Sequence, residues 1–78
     1  MKDQHIKELK NLVGKKVFYK IKGYDGYYYN DSEAIEIATE EDINYYSEKI
    51  ENDDMYLYGL DFIYLSNYYL VTLEDTTY

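Results

Sequence analysis

Apolar residues recur at helical spacing at the start of the chain. Ile6, Leu9 and Val13 fall on one stripe, and the residues between them are mostly polar. Gly14 can end a helix at this point, because glycine adopts the left-handed conformation that closes many helices. The pattern therefore predicts a basic N-terminal helix within residues 1–14, capped near its start by Asp3.

The next segment alternates with the period of a β-strand. In residues 16–22 the apolar odd positions share one face, and the lysines share the other face with Phe18. Gly23-Tyr24-Asp25-Gly26 is a turn signal, and Tyr27-Tyr28-Tyr29 follows it. A β-hairpin is the expected result.

Residues 33–39 admit two interpretations. Ile35 and Ile37 alternate with Glu36, which indicates a strand, whereas Ser32 could cap a helix. The strand is favoured because both isoleucines are β-branched.

Thr39-Glu40-Glu41-Asp42 resembles a capping box and predicts the start of a second helix. From residue 40 to 51, Ile43, Tyr46 and Ile50 fall on one face. The carboxylates of the first turn lie where the helix dipole favours negative charge.

The last part of the chain reads as short strands. We expect strands at Met55–Tyr58, Phe62–Leu65 and Tyr68–Leu73, with a hairpin turn at Ser66-Asn67 and a frayed tail over residues 74–78. Together the elements predict a single α+β domain with an antiparallel sheet of four to six strands. Its sheet core is expected to contain Val17, Tyr19, Ile21, Ile35, Ile37, Leu57, Phe62, Val71 and Leu73.

Charge is unevenly distributed along these elements. Residues 1–22 hold seven lysines against two carboxylates, a net charge of +5, whereas residues 23–78 hold one lysine against fourteen carboxylates, a net charge of −13. The whole chain therefore carries −8. An acidic surface can serve solubility alone, or it can bind a basic partner.

Tyrosine is the second unusual feature. Twelve of the thirteen tyrosines lie in the acidic section. A core of this size does not need them all, so several are expected on the surface, where tyrosine is typical of interfaces.

Catalytic and metal-binding motifs are missing from the sequence. There is no cysteine and one histidine, His5, and the four glycines all fall at predicted element ends rather than in a phosphate loop. We therefore expect no enzyme activity, metal or cofactor, and we interpret the acidic run 52–54 as a solvated turn rather than an ion site. The polar N-terminus and the lack of a long apolar run predict a cytoplasmic protein without a membrane segment.

Two relations to nucleic acid are possible. The lysines of residues 15–22, with Phe18 among them, could contact a single strand, but the −13 section repels phosphate and the chain has no arginine. The reverse relation, mimicry, uses carboxylates in place of phosphates and tyrosine rings in place of bases. In this overall character the chain resembles the small acidic inhibitors that phages and mobile elements use against host defence, anti-CRISPR proteins among them.

Segregated charge, abundant tyrosine and the missing catalytic motifs together predict a non-enzymatic inhibitor of a nucleic-acid-handling defence protein. Carboxylates of the loops and the second helix, together with nearby tyrosines, form the predicted partner-binding site. They are Asp25, Asp31, Glu33, Glu36, Glu41, Glu48, Glu51, Asp53, Asp54, Tyr27, Tyr28, Tyr45 and Tyr56.

The alternative is a structural or regulatory adaptor that binds a protein, or a second copy of itself, through a tyrosine-rich sheet surface. Its interface would use tyrosines 27–29, 56, 58, 68 and 69. Salt separates the two hypotheses, because an electrostatic complex weakens steeply with ionic strength and an apolar one does not.

Overall fold

The computed structural model describes residues 2–30 and 34–76. Over these residues the chain forms an α+β fold of two helices and a five-stranded sheet, as the sequence predicts. Neither helix is long and apolar enough to cross a membrane. The elements are α1 (Lys2–Lys10), β1 (Lys16–Lys22), β2 (Tyr28–Tyr29), β3 (Glu36–Ile37), α2 (Glu40–Glu51), β4 (Met55–Ile63) and β5 (Tyr68–Asp75).

The sheet has β1 and β5 at its centre. Its order is β2-β1-β5-β4, and β3 pairs with β1 along the same edge as β2. β1 and β5 run parallel, whereas the other pairs are antiparallel. The prediction of an all-antiparallel sheet is therefore wrong for the pair of β1 and β5. Parallel strands need a long crossover connection, and the chain between β1 and β5, which includes α2, provides it.

Alternation along β1 builds the core. Val17, Tyr19 and Ile21 are buried on the face that the helices cover, and the ring of Tyr19 lies 4.7 Å from that of Tyr46 in α2. Six of the nine predicted core residues are confirmed. The buried core contains Leu9, Leu12, Val17, Tyr19, Ile21, Ala38, Ile43, Tyr46, Ile50, Met55, Leu57, Val71 and Leu73.

Ile35 and Ile37 are exposed, which corrects their assignment to the core. In the register of β3, Ile37 pairs with Lys16 and Glu36 pairs with Val17. Because paired residues point to the same face, Ile37 lies on the same face as the lysines of β1. The two faces of β3 are therefore exchanged relative to the prediction.

Phe62 is the third residue wrongly placed in the core. It is about half exposed and packs at the rim of the sheet, with its ring 4.9 Å from that of Tyr69. β4 is one long strand with a bulge between Leu57 and Gly59, so the predicted strand Met55–Tyr58 continues to Ile63. The predicted strand at 62–65 is also wrong beyond residue 63, because the chain turns there.

The N-terminal helix is shorter than predicted. It ends at Lys10, so Val13 is exposed and Leu12 takes the buried position. Gly14 has a φ of 86°, which explains the need for glycine in this turn. At the other end, β5 continues through Asp75, two residues past its predicted end.

The second helix matches its predicted bounds. The Thr39 side-chain oxygen accepts a hydrogen bond from the backbone N–H of Asp42 at 3.1 Å, which confirms Thr39 as the N-cap. Ile43, Tyr46 and Ile50 are all buried, as the helical spacing predicted.

The helices pack on one face of the sheet, and we call the other the open face. Its members follow from the strand registers and from the ring contact between Tyr56 and Tyr58. They are Lys16, Phe18, Lys20, Lys22, Tyr28, Ile37, Tyr56, Tyr58, Asp61, Ile63, Tyr68, Leu70, Thr72 and Glu74.

Truncating one isoleucine on each face tests this assignment. Ile21→Ala should lower the free energy of unfolding by about 2–5 kcal/mol, because it leaves a cavity in the core. Ile37→Ala, half exposed on the open face, should cost less than about 1 kcal/mol. Urea denaturation measures both, and equal losses would contradict the inverted register of β3.

Candidate binding surfaces

Helix α2 carries an exposed row of acidic and aromatic side chains. Glu41, Tyr45 and Glu48 are spaced four and three residues apart, so they line up along one side of the helix, and all are exposed. The Tyr45 ring makes an edge contact with the buried ring of Tyr46 at 5.3 Å, and Lys49 Nζ lies 5.5 Å from its centre. The tyrosine is therefore supported from within the fold.

The loop after α2 extends this surface. Asp54 lines a shallow depression of about 160 Å³ together with Tyr45 and Glu48. Glu51 is exposed three positions after Glu48, in the last turn of α2. The structure thus brings together five of the predicted site residues. We call them the acidic helix face: Glu41, Tyr45, Glu48, Glu51 and Asp54.

Asp53 is engaged elsewhere. Its carboxylate forms an ion pair with Lys2 at 2.9 Å, and this hydrogen-bonded contact raises the pKa of Lys2. Lys2 Nζ also donates to the backbone carbonyl of Glu51 at 3.2 Å, at the negative end of the α2 dipole. Asp53 therefore links the start of α1 to the end of α2, and its charge is matched within the chain.

The hairpin residues lie at the opposite edge of the sheet. Asp25 Oδ1 accepts a hydrogen bond from the backbone N–H of Tyr27 at 3.1 Å, so this carboxylate shapes the turn. Tyr28 lies on the open face, where Lys20 Nζ stands 4.6 Å from its ring centre. Because β2 and β4 are at opposite ends of the sheet order and α2 packs near β4, these residues do not join the acidic helix face.

The remaining predicted residues are also dispersed. Glu36 is half-buried on the helix side of the sheet, opposite Val17. Tyr56 lies on the open face. Asp31 and Glu33 fall outside the described residues. The eleven predicted residues that the structure describes therefore do not form one continuous surface.

The open face is the feature that the sequence interpretation missed. The rings of Phe18 and Tyr68 meet edge to face at 6.5 Å, above a shallow groove of about 550 Å³. Two signals in the sequence pointed to this face. β5 has apolar residues on both faces, and Phe18 lies among lysines in β1, whereas a strand covered on one side only alternates more strictly between apolar and polar residues. The groove is lined by Phe18, Lys20, Tyr28, Asn30, Ala34, Ile35, Tyr68 and Leu70.

The tyrosines proposed for an adaptor interface divide between the two faces. Tyr28, Tyr56, Tyr58 and Tyr68 lie on the open face. Tyr29 pairs with Ile21 and donates its hydroxyl hydrogen to Asp75 Oδ2 at 3.0 Å, on the helix side. Tyr28 and Tyr29 lie on different faces because successive side chains of a strand point to opposite sides of the sheet.

Within residues 2–30 and 34–76, no cluster of three His, Cys, Asp or Glu side chains could hold a metal ion. No protein-family model matches the chain, and no curated protein or solved structure matches it.

The contact between Tyr56 and Glu74 gives a measurable pKa shift. The Glu74 carboxylate accepts the hydrogen bond of the Tyr56 hydroxyl and thereby raises the pKa of Tyr56, because a phenolate there would face a carboxylate. Glu74→Gln should lower that pKa, as read from the ¹³C shift of the Tyr56 ring in a pH titration. The neutral phenol is favoured by folding, so its contribution to stability is present below the unfolded pKa near 10 and is lost as pH rises through the folded value.

Asp61→Asn provides the control, since it removes another open-face carboxylate that the register places away from Tyr56. This substitution should leave the pKa of Tyr56 unchanged. Equal changes in the two variants would mean that general charge, rather than the Glu74 contact, sets the pKa.

Proposed function

We propose that this chain is a non-enzymatic inhibitor that binds the basic surface of a nucleic-acid-handling protein through the acidic helix face. In this proposal it acts as a nucleic-acid mimic, as an anti-defence protein of a phage or mobile element would. The observation that carries the proposal is the exposed row in which Tyr45 stands between Glu41 and Glu48.

The spacing of this row suits a phosphate-binding groove. Glu48 follows Glu41 by seven positions, which corresponds to about 10 Å along a helix. Successive phosphates of one DNA strand advance by about 3.4 Å along the axis, so the two carboxylates match positions about three phosphates apart. Tyr45 lies between them, where a base would offer its ring.

Charge and ring would contribute differently to binding. Exposed carboxylates such as Glu41 and Glu48 speed association with a basic partner, and salt weakens this effect. Tyr45 offers an aromatic anchor whose position is fixed by Tyr46, and such rings supply much of the energy in interfaces. Lys49 is the single basic residue of the section 23–78, so α2 itself carries five carboxylates against one lysine.

The open face favours a second candidate function, a regulatory adaptor that binds protein through an apolar sheet surface. Tyr28, Ile37 and Tyr58 are exposed there, and clustered exposed apolar side chains are typical of interaction sites. Binding through this face would depend on buried area more than on net charge.

Charge reversal on α2 tests the inhibitor proposal. The immobilised chain should retain basic nucleic-acid-binding proteins from a bacterial lysate, and duplex DNA or added salt should release them. Glu41→Lys with Glu48→Lys should reduce this retention at least about tenfold, because repulsion replaces attraction. Mass spectrometry identifies the retained proteins, and gel filtration of each with DNA measures the competition.

A matched control reverses the same kinds of charge on α1. Asp3→Lys with Glu8→Lys also changes one first-turn carboxylate and one further along a helix, and it gives the same net charge of −4, four above −8. This variant should retain the partner. Equal losses in both variants, or a retained partner that DNA does not displace, would contradict the proposal.

A further inference from the structure

The open face carries charge of opposite sign on its two sides. β1 projects Lys16, Lys20 and Lys22 from it, whereas Asp61 lies on β4 and Glu74 on β5. Among the described residues, no ion pair joins Lys16, Lys20 or Lys22 to Asp61 or Glu74. The face is thus basic along β1 and acidic toward β4.

Apolar side chains fill the space between the charges. Phe18, Tyr68 and Leu70 lie along the centre of the face, and Ile37 and Tyr58 are exposed toward its two sides. A surface of this kind costs free energy in water and gains it when a complementary surface covers it.

The registers show which residues share a level across the sheet. Lys22 of β1 aligns with Glu74 of β5 and Tyr56 of β4. Two sheets can pack face to face with their strands nearly aligned, at about 30°. Consider a two-fold axis that lies between the two sheets and runs parallel to the strands. It keeps each residue at the same height along the strands and places the β1 side of one copy over the β4 side of the other. Lys22 of one copy would then lie over the Glu74 and Tyr56 level of the other.

The alternative symmetry is unfavourable. A two-fold axis in the same plane but perpendicular to the strands would place β1 over β1, so that lysines faced lysines. An isologous interface must be self-complementary, and the charge pattern meets this condition only for the axis parallel to the strands.

We propose that the open face is the contact surface between two copies of this chain, related by a two-fold axis parallel to the strands. The proposal rests on the second candidate function and names its partner as the chain itself. In such a dimer the acidic helix face stays outward on both copies, because α2 packs on the opposite side of the sheet. Dimerisation and inhibition can therefore fail independently.

Complementary charge reversals test the proposal. Sedimentation velocity from micromolar to millimolar concentration should show the 9.4 kDa chain converting to a species of twice that mass. Lys20→Glu with Lys22→Glu should weaken self-association at least about tenfold, and so should Asp61→Lys with Glu74→Lys, because each puts like charges in contact.

Mixing the two variants should restore the dimer as a heterodimer, since each reversed side then faces a reversed partner. The variants carry net charges of −12 and −4, four below and four above −8, and variants with the same net charges but with reversals on α1 control for this. The corresponding reversals on α1, Lys7→Glu with Lys10→Glu and Asp3→Lys with Glu8→Lys, should leave self-association unchanged. Circular dichroism confirms folding, and Lys20→Glu and Asp61→Lys alone replace any double variant that unfolds.

A monomeric parent at millimolar concentration would overturn the proposal, and so would a dimer that the open-face reversals do not weaken or their mixture does not restore. An oligothymidine of about 12 nucleotides tests a different occupant. If it binds the parent in place of self-association, and Phe18→Ala with Tyr68→Ala abolishes that binding, the face is a nucleic-acid platform and the dimer is wrong.

Discussion

Strand β1 is hydrogen-bonded on both edges, to β5 from Val17 to Lys22 and to β2 and β3 on the other side. This double pairing fixes which side chains go to each face, since a shift by one residue would exchange them all. Val17, Tyr19 and Ile21 are then committed to the core beneath the helices, and the lysines to the opposite surface. The positions of α2, the open face and both proposed surfaces follow from this one strand.

Two kinds of surface result, and the sheet separates them. On the helix side, Tyr45 lies beside Glu48 and Asp54, while Asp53 is held by Lys2. On the open side, lysines and aromatic rings lie together, as in the contact of Lys20 with Tyr28. The net charge of the chain conceals this arrangement, because a single number cannot report which face carries which sign.

Local patterns were sufficient for much of the fold. β1 alternates cleanly and α2 has a capping residue and a three-residue apolar face, so both were predicted with their observed bounds. Ile35 and Ile37 were misplaced because alternation defines two faces but does not say which is buried. That choice came from the pairing of β3 with β1, which is a long-range contact. Part of the acidic helix face was predictable, because helical spacing decides which residues of α2 share a side. The open face was not predictable, because it depends on the order of the strands in the sheet.

The parallel pairing of β1 with β5 also governs the order in which the chain can fold. Val17 and Tyr69 are partners, and they are 52 residues apart in sequence. A loop of this length must close before the sheet has a centre, and such distant contacts slow folding relative to a helical bundle of equal size. Until this loop closes, the amphipathic β1 lacks its parallel neighbour. Its apolar side is then without its final cover, which makes partly folded chains the species most exposed to aggregation.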